Sequence, residues 1–260
     1  MERIFIIEKV IEGCKITDIV ERSYAEAKNL RHLTTICVPF MVDGGVDKKG
    51  KWIVHDRYHK QVAKGKASPE KIIKSFNLFG GHTTPPENAA QLIGTFVNEA
   101  ILFDGLLKEL NEELLQQTKK ADIRELEIWE NGLNTYKSLY AAPYSVPLFA
   151  PVPIGFAEYA DSANTEYSYV FALPIKDKDF RRQLIAADDY EVKGKKHDIS
   201  LPLECFFENE LKKLWEKELE AKKLGKEPDI EVADAITRLF LSENARTLRK
   251  LRKTINDYCK

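Results

Sequence analysis

Two stretches decide the reading: Phe76-Asn77-Leu78-Phe79-Gly80-Gly81-His82-Thr83-Thr84-Pro85-Pro86-Glu87 and Gly105-Leu106-Leu107-Lys108-Glu109-Leu110-Asn111-Glu112-Glu113-Leu114-Leu115. The first is a short apolar run that ends in a Gly-Gly pair. Its two prolines forbid a helix over Thr83–Pro86, because they and their neighbours favour extended backbone. The second stretch is helical in period. Glu109, Glu112 and Glu113 stand at i, i+3 and i+4, so their carboxylates share a face, while Leu106, Leu107, Leu110 and Leu114 anchor the helix in a core. Like charges at this spacing destabilise a helix by a few tenths of a kcal/mol per pair, and by more where the face is partly buried. A divalent cation relieves that repulsion, and hard oxygen donors suit Mg²⁺ or Mn²⁺. A solvated acidic face is the plainer reading of the helix taken alone. Residues 208–220 (ENELKKLWEKELE) have such a pattern, but lysines are interspersed there and none lies between Glu109 and Glu113.

Together the two stretches resemble the signature of the Nudix hydrolase superfamily, G-x5-E-x7-R-E-U-x-E-E-x-G-U, with U a bulky aliphatic. Gly81, HTTPP and Glu87 match its opening, and Lys108-Glu109-Leu110-Asn111-Glu112-Glu113 matches R-E-U-x-E-E with Lys for Arg. The GGH turn after an apolar run, the upstream KWIVHDR, and the later PIGFAEY and EYSYVFALPI resemble the usual surroundings of that motif. The two halves lie farther apart than in the signature: one alignment takes Glu99 as the first glutamate, one position too far from Lys108, and the favoured one places an insertion at residues 82–100. Leu115 stands where the signature closes with glycine, so the helix is expected to run on.

The resemblance implies hydrolysis of a nucleoside diphosphate linked to another moiety, a pyrophosphohydrolase reaction that depends on Mg²⁺ or Mn²⁺. It implies metal binding by Glu109, Glu112 and Glu113, with the carbonyl of Gly81 completing the coordination, and catalysis through the same glutamates. Lys108 orients them, without arginine's two-pronged contact. A glutamate outside the motif often joins the metal or acts as base, and Glu158 and Glu166, with Glu204 behind them, are the candidates. Glu87 is either a ligand or an acid favoured by a helix N-terminus. Arg57 either meets phosphate or lies solvated, and His82 reads equally well as a turn residue. Trp129, Tyr136, Tyr140 and Tyr144 are available to stack a base or to pack. Two other classes stay open: a Nudix-like domain without turnover that senses a nucleotide or metabolite, and an interaction module whose acidic helix is only surface.

The rest of the chain sets the frame. At 260 residues it fits one core with an appendage. With 43% hydrophobic and 31% charged residues it is neither disordered nor fibrous. The 40 Lys+Arg nearly cancel the 41 Asp+Glu, which argues against a general grip on nucleic acid or an anionic membrane. Cys14, Cys37, Cys205 and Cys259 lack zinc or redox spacing and read as thiols of a reducing compartment. MERIFIIEKVIEG lacks the layout of a signal peptide, so a cytoplasmic protein is expected. Strands are predicted at 3–10, Leu33–Met41, Trp52–His55, Ile154–Tyr159 and Glu166–Pro174, with a turn at Asp43-Gly44-Gly45. Helices are predicted at 18–30 behind a Thr17 cap, from Glu87 to Thr118, at 122–139, from Leu203 to Leu224, and beyond Ile230. That order gives an α+β class, a mixed sheet sandwiched by helices with a C-terminal helical extension. The expected divisions are 1–32, a strand and helix packed on the core; 33–205, the Nudix-like domain; and 206–260, the extension. The last either covers the sheet or forms a homodimer through Leu211, Leu214, Leu219, Ile236, Leu239 and Phe240.

Overall fold

The structure, a computed structural model, describes residues 2–11, 13–42, 50–57, 74–119, 122–125, 151–161, 164–175, 184–186 and 203–260. The Asp43–Gly45 turn, the aromatic residues Trp129, Tyr136, Tyr140 and Tyr144, and most of the helix predicted at 122–139 lie outside them. The chain opens with an antiparallel hairpin of β1 (Arg3–Val10) and β2 (Gly13–Glu21). The first turn of the helix expected over 18–30 is instead the end of β2, and only the short α1 (Arg22–Ala27) of it is helical. The Thr17 hydroxyl donates to the Ile6 carbonyl across the hairpin instead of capping a helix. Ile16, Thr17, Ile19 and Val20 are β-branched and stiff at χ1, so pairing with β1 overrides their weaker helical spacing.

The centre of the sheet is β3 (His32–Met41), buried along its whole length. On one edge it runs parallel to β10 (Thr165–Ile175), which pairs antiparallel with β9 (Val152–Ala160). On the other edge it pairs antiparallel with β6 (Phe79–His82) and, through Phe40, with β4 (Trp52–Asp56). Strand β4 carries β5 (Lys74–Asn77) and β12 (Leu203–Phe206), and β13 (Ile230–Val232) adds in parallel to β5. Side chains alternate across a strand, so β3 feeds two cores. Ile36, Val38 and Phe40 meet Val170, Ala172, Phe76 and Leu78 on one face. Helices α3 (Glu208–Lys223), α4 (Asp234–Phe240) and α5 (Ala245–Tyr258) cover it with Leu211, Ile236, Leu239, Leu248, Leu251 and Ile255. On the opposite face Leu33, Cys37 and Met41 meet Phe171, Leu173 and Ile175, covered by Leu102, Phe103, Leu106 and Leu110 of α2 (Glu99–Glu113). This is the α+β arrangement expected, a mixed sheet between helices. No helix among the described residues is long and apolar enough to cross a membrane.

The long helix predicted from Glu87 to Thr118 is shorter at both ends. It begins after Asn98, whose side-chain oxygen accepts from the Ile101 N–H at 3.0 Å. Before it, residues 83–98 form an irregular loop with one 3-10 turn, Ala89–Leu92. That loop leans on β2: the Ile16 N–H donates to the Thr95 carbonyl, and the Gly94 and Val97 N–H groups donate to the Ile16 and Cys14 carbonyls. At the other end, Leu114 turns extended (φ −132°, ψ 104°) and the helix does not run on. The chain continues as β7 (Leu114–Lys119), which pairs with β8 (Asp122–Glu125) and β11 (Leu184–Ala186). Thus 122–125 is strand where a helix was predicted, and 203–206 is strand before α3 begins.

Candidate metal and phosphate site

Helix α2 reaches the sheet because residue 105 is glycine. A Cβ there would lie 2.8 Å from the Thr83 hydroxyl and 3.2 Å from a Thr35 methyl. The close approach brings the acidic face of α2 against β6. A Cβ on Gly81 would lie 2.5 Å from Glu109 Oε2, so the carboxylate rests on bare backbone. Glu113 Oε2 accepts from the Gly80 N–H at 3.0 Å, and Gly80 holds a φ of +149° at a position where a Cβ would collide with the Thr35 carbonyl. Glu109 is 7% exposed and Glu113 3% exposed. Glu112 is half-buried. Burial, and then the neighbouring Glu113, push the Glu109 carboxyl up to about 8. Gly81, Glu109, Glu112 and Glu113 all line one cavity of about 670 Å³.

Other residues singled out from the sequence divide. Lys108 lines the cavity, donating from Nζ to Thr84 Oγ1 at 2.8 Å and lying 3.8 Å from Glu109 Oε1. Arg57 lines it too, and its Nε is buried without a hydrogen-bond partner among the described residues. Glu166 lines it from β10, whereas Glu158 and Glu204 do not: Glu158 is held by Lys9 and Arg31, and Glu204 by Lys74. Glu87 is exposed on the loop and outside the cavity. His82 is a buried strand residue, not a turn residue, and its ring stacks on His32 with centroids 4.9 Å apart. Burial, followed by Arg22, pushes His82 down to about 4, which leaves it neutral near pH 7.

Residues that sequence reasoning missed come from the far ends of the chain. Arg238 of α4 is 3% exposed and lines the cavity. Its Nη2 lies 2.6 Å from Glu166 Oε2 and its Nη1 donates to Ser168 Oγ. Burial alone would raise Glu166, but Arg238 prevails and holds it at about 2, an ionised carboxylate. Glu2 just before β1, Arg22 of α1 and Asp234 of α4 also line the cavity. The only local signal for Arg238 was a lone arginine beside Ile236 and Leu239, the buried residues of a short helix.

No family model and no curated protein matches the chain. Among solved structures it is similar to the NUDIX domain of NrtR from Shewanella oneidensis, solved with ADP-ribose. The identity is 13%, covering 88% of this chain and 99% of that one, with a TM-score of 0.32. It is also similar to an ADP compounds hydrolase at 12% identity, covering 99% of this chain and 96% of that one, with a TM-score of 0.35.

Proposed function

We propose that the chain is a Nudix-type pyrophosphohydrolase, acting with a divalent metal on a nucleoside diphosphate linked to a second moiety. One observation carries the reading: the halves of the sequence signature, far apart in the chain, meet at one cavity wall, with Glu109 against Gly81 and Glu113 on the Gly80 N–H. The donor set fits Mg²⁺ or Mn²⁺. Glu109 and Glu113 are nearly dry, and Glu109 is raised to about 8 by burial and by Glu113, a repulsion that a cation offsets. Glu109, Glu112, Glu113 and the Gly81 carbonyl would hold the ion, and when bound it neutralises phosphate oxygens and acidifies a water. Lys108 and Arg57 would bind and orient the diphosphate from the same cavity. Glu166, at about 2, is too weak a base near pH 7, so it serves as a fixed charge that locates Arg238. In this reading 33–205 is the catalytic domain of a cytoplasmic protein, 1–32 is its N-terminal support, and 206–260 is an extension that covers the sheet.

Incubation with ADP-ribose, NADH, diadenosine polyphosphates and sugar nucleotides, with Mg²⁺ or Mn²⁺, tests it. At least one should yield two phosphate-bearing products, and the Glu112→Gln, Glu113→Gln double variant should lose that metal-stimulated turnover. Tight binding with no product across the panel would point to a sensor domain. Turnover unchanged in the double variant would remove the glutamates from the chemistry.

A further inference from the structure

We propose that His32, His82 and Glu166 form a second cation site, one that selects a borderline transition-metal ion such as Zn²⁺ and stands apart from the glutamate site for Mg²⁺ or Mn²⁺. The register of the sheet builds it. Glu166 of β10 lies opposite His32 of β3, Ser168 lies opposite Thr34, and His82 of β6 also lies opposite Thr34. Paired residues share a face, as do residues two apart on a strand, so these side chains project to the same side at one end of the sheet. The 2.5 Å contact between Thr34 Oγ1 and Ser168 Oγ agrees with that placement. Gly81, one residue from His82, pairs with Thr35 and faces the other way, onto Glu109 of α2. The two donor sets thus project from opposite faces of β6, although His82 and Glu166 reach the same cavity as the glutamates.

The second set has the chemistry of a metal site. Each residue offers one ligand atom, and the three atoms lie within 4.8 Å of one another. His32 Nδ1 is 2.9 Å from the Leu30 carbonyl, which can only accept, so Nδ1 carries the proton and Nε2 presents its lone pair inward. That Nε2 is 3.2 Å from His82 Nε2 and 3.9 Å from Glu166 Oε1. Ligand atoms around a tetrahedral zinc stand roughly 3.3–3.5 Å apart for bonds of about 2.0–2.1 Å. The histidine pair, at 3.2 Å, is just short of that spacing, and the carboxylate has to close by about 0.5 Å on His32. Glu166 has its other oxygen on Arg238 at 2.6 Å, the outer-shell partner that a ligating carboxylate normally has. Because Arg238 offsets much of that charge, attraction depends on the two imidazoles, and these favour Zn²⁺ over Mg²⁺. The site joins β3, β6 and β10 and ties α4 to them through Arg238. It stands whether or not the protein is a hydrolase.

Calorimetric titration of the chelator-stripped full chain with Zn²⁺, in excess Mg²⁺, tests the assignment. Wild type should bind one Zn²⁺, His82→Gln should weaken it at least about tenfold, and Glu112→Gln, Glu113→Gln should leave it unchanged. X-ray absorption of the wild-type zinc complex needs no variant, and should show imidazole nitrogens at about 2.0–2.1 Å. A shell of oxygen alone, no zinc retained under Mg²⁺, or zinc lost in the glutamate variant but kept in His82→Gln would overturn the proposal.

Discussion

A carboxyl group packed against glycine backbone, as Glu109 is against Gly81, has little water to stabilise its charge. Its displacement to about 8 has a thermodynamic consequence for the metal-free protein. The folded state binds this proton more tightly than the unfolded state, whose carboxyl titrates near 4.5. The stability it contributes is therefore fully present below about 4.5 and is lost as pH rises through about 8. At about 1.4 kcal/mol per pH unit, the loss is on the order of a few kcal/mol. Thermal unfolding in chelator should show Tm falling between about pH 5 and 8, and Glu109→Gln should flatten that slope. Saturating Mg²⁺ or Mn²⁺ should oppose the fall, because an ion that binds only the folded carboxylate stabilises it. A wild-type Tm that rises over this window would contradict the burial argument.

Helix α2 is the element that sets the site, and Gly105 is where its position is decided. Alanine there would improve helix propensity by about 1 kcal/mol. Its Cβ would meet Thr83 and Thr35, both nearly fully buried and stiff at χ1. Overpacking of this kind costs about 1–3 kcal/mol, so Gly105→Ala should lower stability on balance and weaken Mg²⁺ or Mn²⁺ binding by lifting Glu109 from Gly81. A stabilised variant with unchanged metal affinity would show that the contact yields. The acidic face of this helix was legible in the sequence because i, i+3, i+4 spacing is local. Its start was misplaced at Glu87, although Asn98 before Glu99 is an N-cap followed by a first-turn acid. The apolar spacing upstream of Asn98 hid it. Its end was not legible, because Leu114 and Leu115 suit a helix and turn extended through pairing with Asp122–Glu125 and with Leu184–Ala186, the latter far along the chain. The same competition turned 13–21 into a strand.

For the molecule as a whole, the C-terminal segment is both a cover and a supplier. The strands predicted at 3–10, 33–41, 52–55, 154–159 and 166–174 are all present, since β-branched and aromatic runs report burial locally. Which strands neighbour one another is a non-local fact. The meeting of His32, His82 and Glu166 follows from register, and Arg238 reaches them only because α4 packs on the sheet. An isolated arginine cannot announce a carboxylate 72 residues before it. Leu211, Val232, Ile236, Leu239, Leu248, Leu251 and Ile255 are all buried against Ile36, Val38, Phe40 and their neighbours. At about 1.5–3 kcal/mol each, they supply more than ~10 kcal/mol of gross burial, comparable with a typical net stability of ~5–15 kcal/mol. A chain ending at residue 205 should therefore fail to unfold cooperatively in urea and should elute as aggregate, not as a smaller soluble domain. The milder Leu251→Ala should cost about 2–5 kcal/mol and leave the glutamate site intact, read as unchanged Mn²⁺ affinity in the folded fraction. A truncated chain that remains monomeric with a cooperative transition would mean that this face of the sheet holds without its helices, and that Arg238 is a late addition to a core already stable.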